Sequence, residues 1–174
     1  LISGKTALGA TPADTDELLI SDAGTLKRVD YSYLKAANTP SFYAYKSSNQ
    51  SISHNTDTKI TFDTEIFDSD GTFASSRFTP AVIGKYVIGY QLHSASQTDY
   101  GYASIYKNGT RVELNVEYTG SDVDLTYHAT QILSLDADDY VEIYWKQTKG
   151  SSADIQGRSD GDQSFFYGYK IIGA

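Results

Sequence analysis

From Ser41 onward, every apolar run of this chain is short and is stopped by a cluster of turn formers. The runs are "SFYAYK", "TKITFDTEIF", "VIGKYVIGYQL", "GYASIYKNG", "TRVELNVEY", "LTYHATQILSL", "DYVEIYWKQT" and "QSFFYGYKIIG". Between them lie "SSNQS", "DSDGT", "SASQTDYG", "TGSD", "DADD" and "KGSSADIQGRSDGD". In "DYVEIYWK", Val141, Ile143 and Trp145 fall on one face of a strand, and Tyr140, Glu142, Tyr144 and Lys146 on the other. Asn108-Gly109, between "ASIYK" and "TRVEL", is the strongest short hairpin signal. Many short alternating strands with no long helical period predict an all-β sandwich.

The segment "FTPAVIGKYVIGYQL", Phe78 to Leu92, predicts an inner strand of that sandwich. Tyr86, Ile88, Tyr90 and Leu92 share one face, and Val87, Gly89 and Gln91 share the other. A glycine at the centre of a strand face lets a bulky side chain or another backbone come close. Pro80 and Gly84 are expected to shape the bend that feeds the strand.

Residues 1–39 read differently from residues 40–174. "ELLIS" and "TLKRV" flank "DAG", a hairpin turn in which Gly24 supplies positive φ. Asp30 is placed to N-cap one helical turn in "YSYLKAA", which Asn38, Thr39 and Pro40 end. This piece has too few apolar residues to fold alone, so it reads as a connector that docks on the following domain or on another chain. The opening at Leu1 suggests a fragment or a processed product.

Charge and composition exclude several classes. Against 14 basic residues stand 22 acidic ones, a net charge of −8, and no basic run exists, which argues against nucleic acid. With no cysteine, neither disulfides nor thiol chemistry can operate. No apolar run approaches the roughly 18 residues of a membrane-spanning helix. His54, His93 and His128 lack metal-ligand spacing, and no G-x-S-x-G elbow is present, so no catalytic constellation emerges.

The 15 tyrosines and 7 phenylalanines supply rings for a core and for recognition. Tyr100, Tyr102 and Tyr127 are the candidate ligand-binding residues, because aromatic rings near Asp and Asn can stack on sugars and bond their hydroxyls. The acidic clusters Asp68/Asp70, Asp136/Asp138/Asp139 and Asp160/Asp162 offer hard oxygens of the kind calcium prefers, although Asp and Gly are also ordinary turn residues.

Five motifs in order resemble the globular head of complement C1q and its relatives, jelly rolls of the tumour-necrosis-factor type. They are Phe42-Tyr43-Ala44-Tyr45; the spaced Phe62, Phe67 and Phe73; "SRFTPAVIGKYVIGYQL"; "IYKNGTRV" with "LSLDADDYVEIYW"; and "SFFYGYKI" through Ser164, Phe166, Gly168 and Ile171. Thr79 and Pro80 are adjacent where the family spaces them, and Ala137 and Asp138 stand where a glycine is usual. The resemblance implies a jelly roll of about ten strands over residues 40–174 and a homotrimer with aromatic residues packed between subunits. It also favours Asp136, Asp138 and Asp139 as the calcium candidates, since some relatives bind the ion near an equivalent turn.

"TPADTDELLISDAGTLKRVDYSYLKA" resembles connectors of fibre and structural proteins of tailed phages, marine ones especially. Asp16, Glu17, Leu18, Leu19, Ser21, Gly24, Lys27 and Leu34 carry it. Together the two resemblances imply a non-enzymatic virion protein: a trimeric tail-fibre or appendage head binding a host-surface glycan. The connector would then join other virion proteins. The alternatives are a capsid or tail decoration protein without a receptor and, with less support, a polysaccharide hydrolase.

Overall fold

Ala23 and Gly24, both with positive φ, turn the first hairpin, which pairs β1 (Glu17–Asp22) with β2 (Thr25–Asp30) in register from Glu17–Asp30 to Asp22–Thr25. A single 3-10 turn, Tyr31–Tyr33, follows. Asp30 precedes it with extended backbone but makes no side-chain capping bond, which corrects the expected N-cap. The computed structural model describes residues 9–34, 37–97 and 99–172, so Lys35 and Ala36 of the expected helical turn lie outside the described residues. The chain divides into two units, Leu1–Ala37 and Asn38–Ala174. In the first, Leu19, Leu26 and Tyr33 are exposed, and a two-stranded hairpin of this kind has no core of its own.

The second unit is a two-sheet jelly roll. Its strands are β3 (Ser41–Tyr45), β4 (Gln50–Ile52), β5 (Thr58–Lys59), β6 (Thr64–Asp68), β7 (Phe73–Ala74), β8 (Arg77–Phe78) and β9 (Gly84–Gln97). They continue as β10 (Tyr100–Lys107), β11 (Thr110–Arg111), β12 (Asn115–Tyr118), β13 (Val123–Leu135), β14 (Val141–Gln147), β15 (Ala153–Ile155) and β16 (Phe165–Lys170). One sheet runs β4-β15-β9-β16-β3-β6, with β13 along the other edge of β9. The other runs β11-β10-β14-β8-β7, with β12 on β10 and β5 on β14.

The expected inner strand is β9, flanked by β13 on one side and by β16 and β15 on the other. Tyr86, Ile88, Tyr90 and Leu92 point into the core and are fully buried. In the bend that feeds β9, Ala81, next to Pro80, has positive φ (58°) and donates its N–H to the Ala137 carbonyl, whereas Gly84 is not among the positive-φ residues. Asn108 and Gly109 form the expected two-residue turn, both with positive φ.

Two segments read as turns are strands. β4 and β15 pair with each other through Ile52–Ala153, Ser51–Asp154 and Gln50–Ile155. Each has three residues, and partners far apart in the chain decide their state where local propensity is weak. "TKITFDTEIF" also divides, because its first part joins β14 and its last part joins β3. β9 itself runs on through the expected turn "SASQ".

Rings fill the space between the sheets. Phe42 stacks on Phe73 and Phe78 with centroids 4.8 and 4.6 Å away, and meets the edge of Phe166 at 4.8 Å. At the other end Tyr127 meets Trp145 edge-on at 5.9 Å. Such pairs add about 0.5–1.5 kcal/mol each beyond the area they bury. A side chain at Gly101 would collide with the Tyr127 hydroxyl and ring. Gly101→Ala is therefore expected to destabilise the fold by about 1–3 kcal/mol through overpacking. The check is a lower urea midpoint at unchanged slope.

Candidate functional site

The outward face of the first sheet is aromatic. Across its strands, Phe67 of β6 pairs with Tyr43 of β3, Tyr43 with Tyr167 of β16, Tyr167 with Gly89 of β9, and Gly89 with Thr130 of β13. Because Gly89 has no side chain, the Tyr167 ring lies over it, where a Cβ would overlap the ring. The Tyr167 hydroxyl then reaches Thr130 Oγ1 at 3.1 Å. Phe165 stacks on Tyr43 with centroids 5.4 Å apart, and Tyr167 stacks on the same ring at 6.4 Å. Ile132 (63% exposed) and Phe67 (49%) extend this apolar surface. Tyr43, Phe165 and Tyr167 are themselves half-buried, so the face is a partly exposed aromatic and apolar surface.

The second sheet presents tyrosines of a different kind. Tyr100, Tyr102 and Tyr106 lie on the outward side of β10, and Tyr144 and Lys146 on that of β14. Tyr118 of β12 packs on Tyr100 with centroids 4.7 Å apart, and Tyr100 stacks on Tyr102 at 6.0 Å. The Lys146 ammonium sits 5.2 Å above the Tyr102 ring. Tyr118 is 61% exposed and Tyr100 43%, so both offer a ring face or edge together with a phenol group to solvent.

Of the three tyrosines expected to meet a ligand, Tyr100 and Tyr102 come together here. Tyr127 does not: it is fully buried against Gly101 and Trp145. Its strand alternates, with Tyr127 on the core side and His128 exposed, so the core claims the ring. Tyr118 went unsingled in the sequence. The register Tyr100–Tyr118 brings it in, across a turn whose length the sequence does not fix.

Asp136, Asp138 and Asp139, the expected cation ligands, do not converge on one point. Among the described residues no three His, Cys, Asp or Glu side chains are grouped to hold a metal ion. Asp139 instead closes its own turn, accepting from the Asp136 N–H at 2.7 Å and pairing with Lys107 Nζ at 2.7 Å, with Asn108 Nδ2 on its other oxygen. Asp136 and Asp138 stay exposed. Asp68 behaves likewise. Burial pushes its carboxyl up, but the N–H groups of Phe73, Thr72 and Asp70 outweigh that and hold it below the usual range. Asp160 and Asp162 both pair with Arg158.

A third charged feature was not evident in the sequence. Glu142, on the outward side of β14 but only 3% exposed, accepts from Lys59 Nζ at 3.0 Å and from Arg77 Nε and Nη2 at 2.9 Å on one oxygen. Burial raises its carboxyl; the Lys59 and Arg77 bonds more than offset this and hold it below the ordinary glutamate value. Arg77 also lies over the Tyr140 ring, 3.9 Å from its centroid. Alternation placed Glu142 on the outward face, but its partners are 83 and 65 residues away in sequence.

These features define a two-sheet jelly roll with an aromatic flank on one sheet and a tyrosine carpet on the other. Residues 41–171 match the family model described as C1q domain, and the chain belongs to that family. Among solved structures it is similar to the globular domain of zebrafish complement 1qA protein, with 17% identity, TM-score 0.58, and coverage of 76% of this chain and 98% of that one. It is also similar to Eiger TNF from S. frugiperda (10% identity, TM-score 0.62, 77% and 93% covered). Murine APRIL at pH 5.0 is a third match (11%, TM-score 0.61, 75% and 98% covered). A search of curated protein sequences finds no match.

The Asp139 turn carries a pH signature. Lys107, the Asp136 N–H and Asn108 lower its carboxyl to about 2 against a slight opposing effect of burial. Its contribution is thus fully present above the unfolded value of about 3.9 and is lost as pH falls through about 2. Asp139→Asn is expected to lower stability at pH 7 and to flatten the acid limb between about pH 4 and 2. Urea midpoints measured across that range check it.

Proposed function

We propose that the chain is the homotrimeric, non-enzymatic binding head of a virion appendage, exposed on the exterior of the particle. The observation that carries the reading is the unpartnered aromatic face of the first sheet. Exposed Phe67 and Ile132, with half-buried Tyr43, Phe165 and Tyr167 between them, present an apolar surface that a lone head would leave partly in water. Membership in the C1q domain family supports it, because such domains are typically binding modules rather than enzymes. A three-fold assembly buries that face and leaves the second sheet outward.

The tyrosines of that second sheet, Tyr100, Tyr102 and Tyr118, are then repeated three times around one axis. Ring faces beside phenol hydroxyls suit the apolar faces and hydroxyl edges of a glycan, and a host-surface polysaccharide is the proposed receptor. Weak sites repeated on one particle gain avidity through effective concentration. The first unit, with Leu19 and Leu26 exposed on a hairpin, is the proposed attachment to other virion proteins.

The molar mass in solution tests assembly. The unaltered chain is expected at three times the chain mass, and Phe165→Glu with Ile132→Glu at one, with the far-ultraviolet spectrum preserved. A trimer surviving both changes, or a monomeric unaltered chain, would sink the reading. Receptor binding has its own test: Tyr100→Ala with Tyr118→Ala should stay trimeric yet lower host-cell binding by about tenfold or more.

A further inference from the structure

A cavity of about 600 Å³ opens beside the Glu142 cluster, lined by Lys59, Asp70, Thr72, Ser75, Arg77 and Thr79 among others. Its volume falls in the range of small-molecule sites. Two cations project into it, and both are fixed from behind. Arg77 is held by Glu142 through Nε and Nη2 and by the Tyr140 ring, while its Nη1 makes no hydrogen bond among the described residues. Lys59 spends two donors on Glu142 and the Ser75 carbonyl, which leaves its third N–H. The buried carboxylate neutralises one of the two cations and orients both. One positive charge is left facing the cavity, on a guanidinium edge shaped for a carboxylate.

The rim is built as firmly. Ser75 and Ser76 form the two-residue turn between β7 and β8, both with positive φ (51° and 57°), a conformation non-glycine residues adopt at a cost. Ser76 Oγ pins the turn to the core by accepting the Phe62 N–H at 2.8 Å, and Ser75 offers its carbonyl to Lys59. Asp70 also lines the cavity, and among the described residues its side chain accepts only from the neighbouring Ser69 hydroxyl. A bare anion would meet the guanidinium but be opposed by Asp70. A ligand with both a carboxylate and hydroxyl groups satisfies both walls, its carboxylate on Arg77 and Lys59 and its hydroxyls donating to Asp70.

We propose that this cavity is a binding site for a sugar acid of the uronate type, seated by its carboxylate on Arg77 and Lys59 and by its hydroxyls on Asp70. The cavity lining includes none of Tyr100, Tyr102 and Tyr118, and the proposal does not depend on the receptor reading. D-glucuronate is the probe, with D-glucose and acetate as partial mimics, and binding is followed by amide shifts of the full chain. Glucuronate should give saturable shifts at residues 74–77 and 79. Glucose and acetate should each bind at least about tenfold more weakly, since each lacks one half of the recognition. Arg77→Gln should lose binding by about tenfold or more, with Arg77→Lys recovering part of it.

Should Arg77→Gln fail to fold, Asp70→Ala, which removes the acceptor at an exposed position, decides the matter. It should erase the preference for glucuronate over acetate. No saturable shift with glucuronate, equal binding of acetate in the unaltered chain, or an unchanged preference in Asp70→Ala would overturn the proposal. Tyr100→Ala should leave glucuronate binding intact, so loss of cell binding and loss of this site read out separately.

Discussion

The first sheet depends on one missing side chain. Gly89 sits at the middle of β9, a strand with partners on both edges, and the vacancy above it receives the Tyr167 ring. That placement lets the Tyr167 hydroxyl reach Thr130, and it lays the ring flat beside Tyr43 and Phe165. A methyl group at Gly89 would lift Tyr167 off the sheet and break the row from Phe67 to Thr130 into separate rings. The same device serves the core itself, where bare Gly101 receives Tyr127. In both places a glycine in a strand is explained by the tyrosine that crosses it, and strand propensity plays no part.

The two sheets of the jelly roll turn unlike chemistry outward. On the first, rings lie against one another with few polar partners, a surface that gains by being covered. On the second, several phenols or rings are set beside a charge or a hydrogen-bonding group: Lys146 above Tyr102, Arg77 on Tyr140, Tyr144 donating to Glu142. Those side chains are satisfied in water and remain able to rearrange toward a polar ligand. The C1q-type fold thus separates a face suited to self-association from a face suited to solutes, on opposite sides of one core.

The alternation of "DYVEIYWK" and "GKYVIGYQL" made the core side of both strands legible, because a two-residue period leaves each side chain only two directions. Asn108-Gly109 was legible for the same kind of reason, since its turn is set by two adjacent residues. What the sequence hid were pairings between distant segments. Glu142 looked like one more outward acid until Lys59 and Arg77 arrived from β5 and β8. Asp136, Asp138 and Asp139 have the composition of a cation loop, yet Lys107 and Asn108 from the neighbouring hairpin take up Asp139. Tyr127 looked the same as Tyr100, because no local signal tells which tyrosine a distant Trp145 will cover.

The last strand of the sandwich, β16, lies between β3, which opens the head, and β9, which is central to it. Until residues near Phe165 have emerged, β3 and β9 have no common neighbour, and the Phe42 and Tyr90 side of the core lacks Phe166. The head therefore closes as a unit only after its full length is made, and its pairing of first strand with last gives it the slow kinetics of non-local β topologies. Until then the aromatic rows of both sheets are open to solvent on an incomplete chain. Timing of synthesis and local crowding therefore bear on yield as directly as the stability of the finished fold.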